Sequence, residues 1–145
     1  MKIALDVLGG DNAPLSTIEG AFSYLDDQGN SAAEIILFGD KAQIEFTIQQ
    51  LLRDKSDITI HHTTEVIEMN DRSSRLFREK PDSSLVKAVQ FVRDGEAQAA
   101  VSAGNTGALL SSSLFMIGKI PGIRRPAFAP FIPTNKGGFI LCDAG

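Results

Sequence analysis

The stretch Ala99-Ala-Val-Ser-Ala-Gly-Asn-Thr-Gly-Ala-Leu-Leu110 decides the fold, because a short apolar strand pattern runs through small residues directly into a helix start. The first N–H groups of a helix have no partner inside it, so such a turn aims donors at open space and suits an anion. Gly104 and Gly107 lack a Cβ, which lets the chain reach positive φ and lets a ligand approach the main chain closely. Asn105 or Thr106 can cap the helix, leaving further N–H donors and the positive end of the helix dipole for a phosphate or a developing oxyanion. Ser102 adds a hydroxyl. The same residues would equally make a well-capped connection with no ligand.

A second glycine turn lies at the amino terminus. Lys2 to Leu8 reads as a buried strand, Gly9-Gly10 as a tight turn, and Asp11-Asn12 as cap candidates ahead of a helix with Pro14 in its first turn. In a parallel α/β sheet, loops of this kind gather at the carboxyl ends of the strands, where ligands bind. Neither turn is a nucleotide fingerprint: the first lacks G-x-G-x-x-G, and neither has the lysine of G-x-x-x-x-G-K-[ST]. A carboxylate beside a phosphate repels it, so Asp11 is expected to cap, to orient a donor or to bind a proton.

Outward from the two turns, strand and helix signals alternate. Strands are expected at 2–8, 34–39, 57–62 and 97–102. Ile18, Ala21, Phe22 and Leu25 share one helix face, as do Ile44, Ile48, Leu51 and Leu52, and Leu85, Ala88, Val89 and Val92. Asp40 is placed to cap the second helix and Gly95 to end the third. This alternation predicts right-handed βαβ units and a mainly parallel sheet, a three-layer α/β/α architecture. Beyond Leu109 the helix is apolar on most sides and is expected to be buried. Pro126, Pro130 and Pro133 restrict 127–132 to an edge-like or irregular strand. The loop near 68–82 is the expected mobile segment.

The chain has 145 residues, 43% of them hydrophobic, enough for one core. It contains no long apolar run, and Met1-Lys-Ile-Ala-Leu-Asp6 puts an acid inside the only short apolar stretch near the start, against the order of a signal peptide. Residues 1–60 carry four basic and ten acidic side chains, whereas residues 61–145 carry ten and eight. Anion-facing charge therefore lies in the second part, with Arg72, Arg75, Arg78 and Lys80 interleaved with Glu79 and Asp82. One Tyr, no Trp and a net charge of −4 speak against nucleic acid. Cys142 is the only cysteine and, beside Phe139, Ile140 and Leu141, reads as a buried inert thiol in a reducing cytoplasm. His61 and His62 point to opposite faces of a strand, which favours a surface or capping role over a metal site.

Two segments carry a family resemblance. Asp6-Val-Leu-Gly-Gly-Asp-Asn-Ala-Pro14 resembles the D-A-M-G-G-D-H-A-P signature of PlsX-type phosphate acyltransferases, and Ser102-Ala-Gly-Asn-Thr-Gly-Ala-Leu109 is similar to their S-A-G-N-T-G-A-L motif. Glu65-Val-Ile67, the spaced Arg75, Arg78, Lys80, Ser83 and Ser84, and Gly122 to Pro130 with Pro133-Thr134 agree in the same order. Asn12 replaces the usual histidine, and Glu79 and Pro81 stand among positions that are commonly basic. Because Leu141-Cys-Asp-Ala-Gly145 falls inside an apparent strand-to-turn motif, residues 1–145 are read as the amino-terminal part of such an enzyme's α/β domain, expected to be inactive alone.

The resemblance implies an isocitrate/isopropylmalate-dehydrogenase-like fold. It also implies transfer of a fatty acyl chain from an acyl carrier protein thioester to inorganic phosphate, giving an acyl phosphate for phospholipid synthesis, without metal or organic cofactor. A cytoplasmic homodimer with peripheral membrane association of the full-length protein is implied too. On this reading Arg78 and Lys80 neutralise phosphate, and Asn105 and Lys80 are the catalytic candidates. Asn105, Thr106 and the backbone around Gly104 and Gly107, with Ser102 beside them, bind phosphate or the oxyanion. Gly9, Gly10 and Asp11 form the opposing wall. The alternatives are a coenzyme A thioester as donor, or a phosphate-binding or interaction module without catalysis.

Overall fold

The computed structural model describes residues 1–29, 33–54, 58–72, 74–124, 126–127, 129 and 131–142. Its frame is a parallel sheet of β1 (Lys2–Asp6), β2 (Glu34–Gly39), β3 (Ile58–His62) and β4 (Ala99–Ser102), in the order β3-β2-β1-β4. The strand expected at 34–39 is present with those bounds and the other three are shorter; residue 57 lies outside the described residues. Helices α1 (Leu15–Gln28) and α2 (Lys41–Gln50) connect the first three strands, and α3 (Leu76–Glu79) and α4 (Ser84–Arg93) lead into β4, which α5 (Thr106–Met116) follows.

Side-chain alternation along the strands builds the layers. Ile35 and Leu37 face α1 and α2 with Val7, Ile18, Ala21, Phe22, Ile44 and Ile48, while Ala4, Ile36 and Phe38 face Ala88 and Ala97 on the other side. A third cluster joins Ile67, Leu76, Leu85, Val86 and Val89 to Ala108 of α5. The result is the expected α/β/α sandwich. Helix ends follow their sequence signals. Asp40 accepts the Gln43 N–H at 2.8 Å, a cap worth about 1 kcal/mol. Gly95, at φ +77°, stands just beyond α4.

The strand order carries a functional consequence. From β1 the chain steps outward to β2 and β3, then returns across the sheet to place β4 on the free side of β1. The winding therefore reverses between β1 and β4, and at such a switch point the connections leaving the two strands diverge and open a crevice at their carboxyl ends. The two glycine turns leave those ends.

Several expectations need correction. Asp11 and Asn12 do not cap α1 through their side chains: Pro14 occupies the N-cap position rather than the first turn, and the Asn12 carbonyl accepts from both the Ser16 N–H and its hydroxyl. Leu52 lies past α2 at φ 52° and is 91% exposed, because the helix stops before its periodicity does. Helix α5 buries only Ala108 and Ser112 fully, and Phe115 is 62% exposed; α3 and α4 cover only part of the helix. The edge-like strand expected near 127–132 is found as β5 (Phe131–Thr134), paired antiparallel with β6 (Gly137–Ile140) in a separate two-stranded sheet. Every residue of β6 is exposed, and Cys142 beyond it is exposed rather than buried. The 68–82 loop contains α3, with Leu76 buried, and is tied to its surroundings as described below.

Candidate functional site

The two glycine turns meet backbone to backbone. A Cβ on Gly9 would lie 2.7 Å from the Gly104 nitrogen and 2.9 Å from its Cα, so this approach is open only to glycine. Gly10, at φ +104°, lies beside Ala103. The carboxyl ends of β1 and β4 are thereby closed into one mouth at the switch point. In register, Asp6 of β1 sits opposite Ser102 of β4. The Ser102 hydroxyl donates to Asp6 Oδ2 at 2.7 Å and accepts the Gly104 N–H at 3.0 Å, and Asp6 Oδ1 accepts the Leu8 N–H at 3.2 Å.

Asn105 is the N-cap of α5: its Oδ1 accepts the Ala108 N–H at 2.9 Å, and its backbone carbonyl accepts that of Leu109. The N–H groups of Thr106 and Gly107 are left without a hydrogen bond among the described residues, at the positive end of an eleven-residue helix. Both residues are exposed. These are the donors an anion would meet.

The amide of Asn105 faces the other way. Its Nδ2 donates to the carbonyls of Glu68, Met69 and Asp71 at 3.1, 3.3 and 2.9 Å, tying the 68–71 loop to the start of α5. The Asp71 carboxylate in turn accepts from Lys80 Nζ at 2.6 Å, and Lys80 also donates to the Val66 carbonyl at 2.8 Å. Asn105 and Lys80 are therefore brought together through Asp71, with both ends of the Asn105 amide and the Lys80 ammonium engaged. The Lys80 ammonium, followed by the Glu68 N–H, holds the Asp71 carboxyl below its ordinary range.

A second carboxylate braces the same loop. Asp82 accepts the N–H and hydroxyl of Thr64 at 2.9 and 2.6 Å, and these bonds hold its carboxyl below the ordinary range. The Asp82 N–H donates to Glu65, whose neighbour in a parallel bridge is Ser83. Arg78 stands outside this network, exposed, with its guanidinium 5.3 Å from the Phe77 ring centroid. Asp11 is exposed at the rim beside Gly10.

The histidine pair divides as expected. His62 Nδ1 accepts the Lys41 N–H at 3.1 Å at the start of α2, while His61 packs against Phe38 and Phe91 at centroid distances of 4.9 Å. Burial, then the Lys87 charge, pushes the His61 pKa down. No group of three metal-ligating side chains occurs among the described residues.

Sequence reasoning did not single out Asp6 or Asp71. An acid ending an otherwise apolar strand was a visible signal for Asp6. Asp71 has one local partner, the Glu68 N–H three residues back, while Lys80 and Asn105 lie nine and 34 residues along the chain, beyond the reach of local pattern.

Comparison with known proteins identifies the family and the fold. A family model described as "Fatty acid synthesis protein" matches residues 1–145. The phosphate acyltransferase of Listeria monocytogenes serotype 4a (strain HCC23) is 47% identical over 146 residues, covering 100% of this chain and 42% of the relative. That of Myxococcus xanthus (strain DK1622) is 42% identical over 147 residues, covering 100% and 41%. The chain thus spans less than half the length of these curated relatives. Among solved structures, EutD phosphotransacetylase from Staphylococcus aureus shares the fold, with a TM-score of 0.61 at 19% identity, covering 100% of this chain and 46% of that one.

Proposed function

Because the chain belongs to the fatty acid synthesis protein family, we propose that the full natural chain carrying residues 1–145 transfers a fatty acyl group from an acyl carrier protein thioester to inorganic phosphate. The observation that carries this reading is the backbone contact of Gly9 with Gly104, which sets the α5 amino terminus and the first glycine turn around one mouth. The two relatives, both phosphate acyltransferases, support the reaction class.

The chemistry asks for positioning and charge stabilisation. A phosphate oxygen attacks the thioester carbonyl carbon, a C–O bond forms as the C–S bond breaks, and the departing thiolate takes up a proton. The N–H groups of Thr106 and Gly107 and the α5 dipole hold the phosphate or the tetrahedral oxyanion. Lys80 supplies a cation once phosphate exchanges with Asp71, and Arg78 adds charge at the rim. Asn105 is a positioning residue here, since it fixes both the helix start and the 68–71 loop. Gly9, Gly10 and Asp11 form the opposing wall.

The test supplies the full natural chain with acyl carrier protein thioester or coenzyme A thioester, with and without phosphate. Phosphate-dependent acyl phosphate from the carrier-protein substrate is the expected result. Product only from coenzyme A would move the donor assignment. No product from either, with folded protein, would leave a binding module. The homodimer and peripheral membrane association belong to the same proposal; among the described residues no helix is long and apolar enough to cross a membrane.

A further inference from the structure

Asp6 has no part in the transfer just described, yet it is 2% exposed and touches both glycine turns. A Cβ on Gly9 would lie 2.6 Å from its Oδ2, and one on Gly104 would lie 3.5 Å away. A carboxylate offers only acceptors to its neighbours and a hydroxyl has a single proton, so the direction of each bond in this chain is fixed. The Ser102 proton goes to Asp6, and the Ser102 oxygen receives the Gly104 N–H. Ser102 therefore has no proton to offer an anion in the mouth, and the Gly104 amide is withdrawn from the donor set.

We propose that Asp6 is a positioning residue that acts through Ser102, withholding the Ser102 hydroxyl and the Gly104 amide from bound phosphate so that Thr106 and Gly107 alone supply the main-chain donors. The inference rests on reading the mouth as a phosphate seat. The arrangement has a chemical purpose. Each donor on a phosphate oxygen lowers its nucleophilicity, and withholding one leaves an oxygen free to attack the thioester.

Asp6→Asn separates this role from simple bracing. It keeps the shape, and its remaining oxygen can still accept the Leu8 N–H, but its amide then donates to Ser102. With its two lone pairs filled by that amide and by Gly104, the Ser102 oxygen turns its proton into the mouth. A freed donor to a charged group strengthens binding, so the variant binds phosphate more tightly, whereas loss of a mere brace would loosen the seat.

The experiment is calorimetric titration of inorganic phosphate into the full natural chain, with steady-state kinetics alongside. Asp6→Asn is expected to tighten phosphate binding about tenfold (~1.4 kcal/mol) and to lower kcat while phosphate KM also falls. Ser102→Ala removes the hydroxyl and with it the acceptor of the Gly104 N–H, so that amide is freed to the mouth and phosphate binding should tighten severalfold, with or without Asp6→Asn. Weaker binding by Asp6→Asn or by Ser102→Ala overturns the inference. If Asp6→Asn does not fold, Ser102→Ala alone decides, and unchanged or weaker binding there rejects the proposal. A wild type that binds phosphate but makes no acyl phosphate fails the transfer reading and leaves this inference standing. One that binds no phosphate fails both.

Discussion

Replacing Gly9 by alanine puts a methyl carbon 2.6 Å from Asp6 Oδ2, 2.7 Å from the Gly104 nitrogen and 2.9 Å from the Gly104 Cα. Carbon in ordinary contact sits at about 3.5–4.0 Å, so the overlap is roughly an ångström on three sides. Two of the three neighbours are backbone, and the third is a carboxylate held by two hydrogen bonds, so no flexible end can yield. Overpacking costs about 1–3 kcal/mol in general, and these constraints place Gly9→Ala near the upper end, ~3 kcal/mol. Gly20 supplies the internal control: it lies inside α1, is exposed, and a Cβ there meets nothing within 4 Å. Gly20→Ala should stabilise by about 0.5–1 kcal/mol. Urea unfolding of the chain followed by circular dichroism reads both. With an m-value of about 1–3 kcal/mol/M, a loss of 3 kcal/mol lowers the midpoint by about 1–3 M. A Gly9→Ala midpoint indistinguishable from wild type, with Gly20→Ala shifted upward as expected, would refute the contact between the two turns.

Three further predictions concern the loop and the pH response. Asn105→Asp keeps the α5 cap but sets carboxylate oxygen against the carbonyls of Glu68, Met69 and Asp71; hydrogen exchange of the 66–71 amides should accelerate while α5 stays protected, and unchanged exchange would rule out the tie. Because the Asp71 carboxyl is held below its ordinary value of 3.8 by Lys80 first, its contribution to the clasp is complete above that value and is lost as pH falls through the lower folded one. Side-chain carbon NMR of Asp71 checks this, and a midpoint at or above the ordinary value would contradict the ion pair. Burial, followed by Lys87, lowers the His61 pKa, so the folded state takes up fewer protons than the unfolded one just below the ordinary value of 6.5. Stability should therefore fall as pH drops through that value, and His61→Gln should flatten this part of the profile. An unchanged slope would place the titration elsewhere.

Much of the frame could be read from local pattern because burial imposes it residue by residue. Ile35 to Phe38 are continuously apolar since a parallel strand covered on both faces needs no polar side, and Asp40 caps α2 through contacts three residues away. The two glycine turns were visible as anion-suited loops that gather at the strand ends, but the backbone-to-backbone fit of Gly9 on Gly104 was not, since it follows from β4 returning to the free side of β1. Asp6 shows the same limit: its meaning depends on being in register with Ser102, 96 residues on. Lys80 was legible as a cation and illegible as a partner of Asp71, because the fold of 66–80 decides that pairing.

Apolarity misled at α5, which reads as buried from its composition, yet α3 and α4 cover only part of it, and Phe115, stacked on Phe77 of α3 with centroids 5.1 Å apart, is still 62% exposed. The prolines restrict 127–132 to an edge-like or irregular strand, and β5 is an edge: a two-stranded hairpin has no interior strand, so Pro133 stands opposite Gly138 without breaking a central ladder.

The central claim is that phosphate sits between the two glycine turns at the start of α5. Titrating inorganic phosphate into isotope-labelled full natural chain and following the backbone amides tests it most directly. The account predicts saturable shifts at Thr106 and Gly107, with smaller ones at Gly9 and Gly10 and on the Lys80 side chain. Shifts confined to other surfaces, or none at millimolar phosphate, would contradict it.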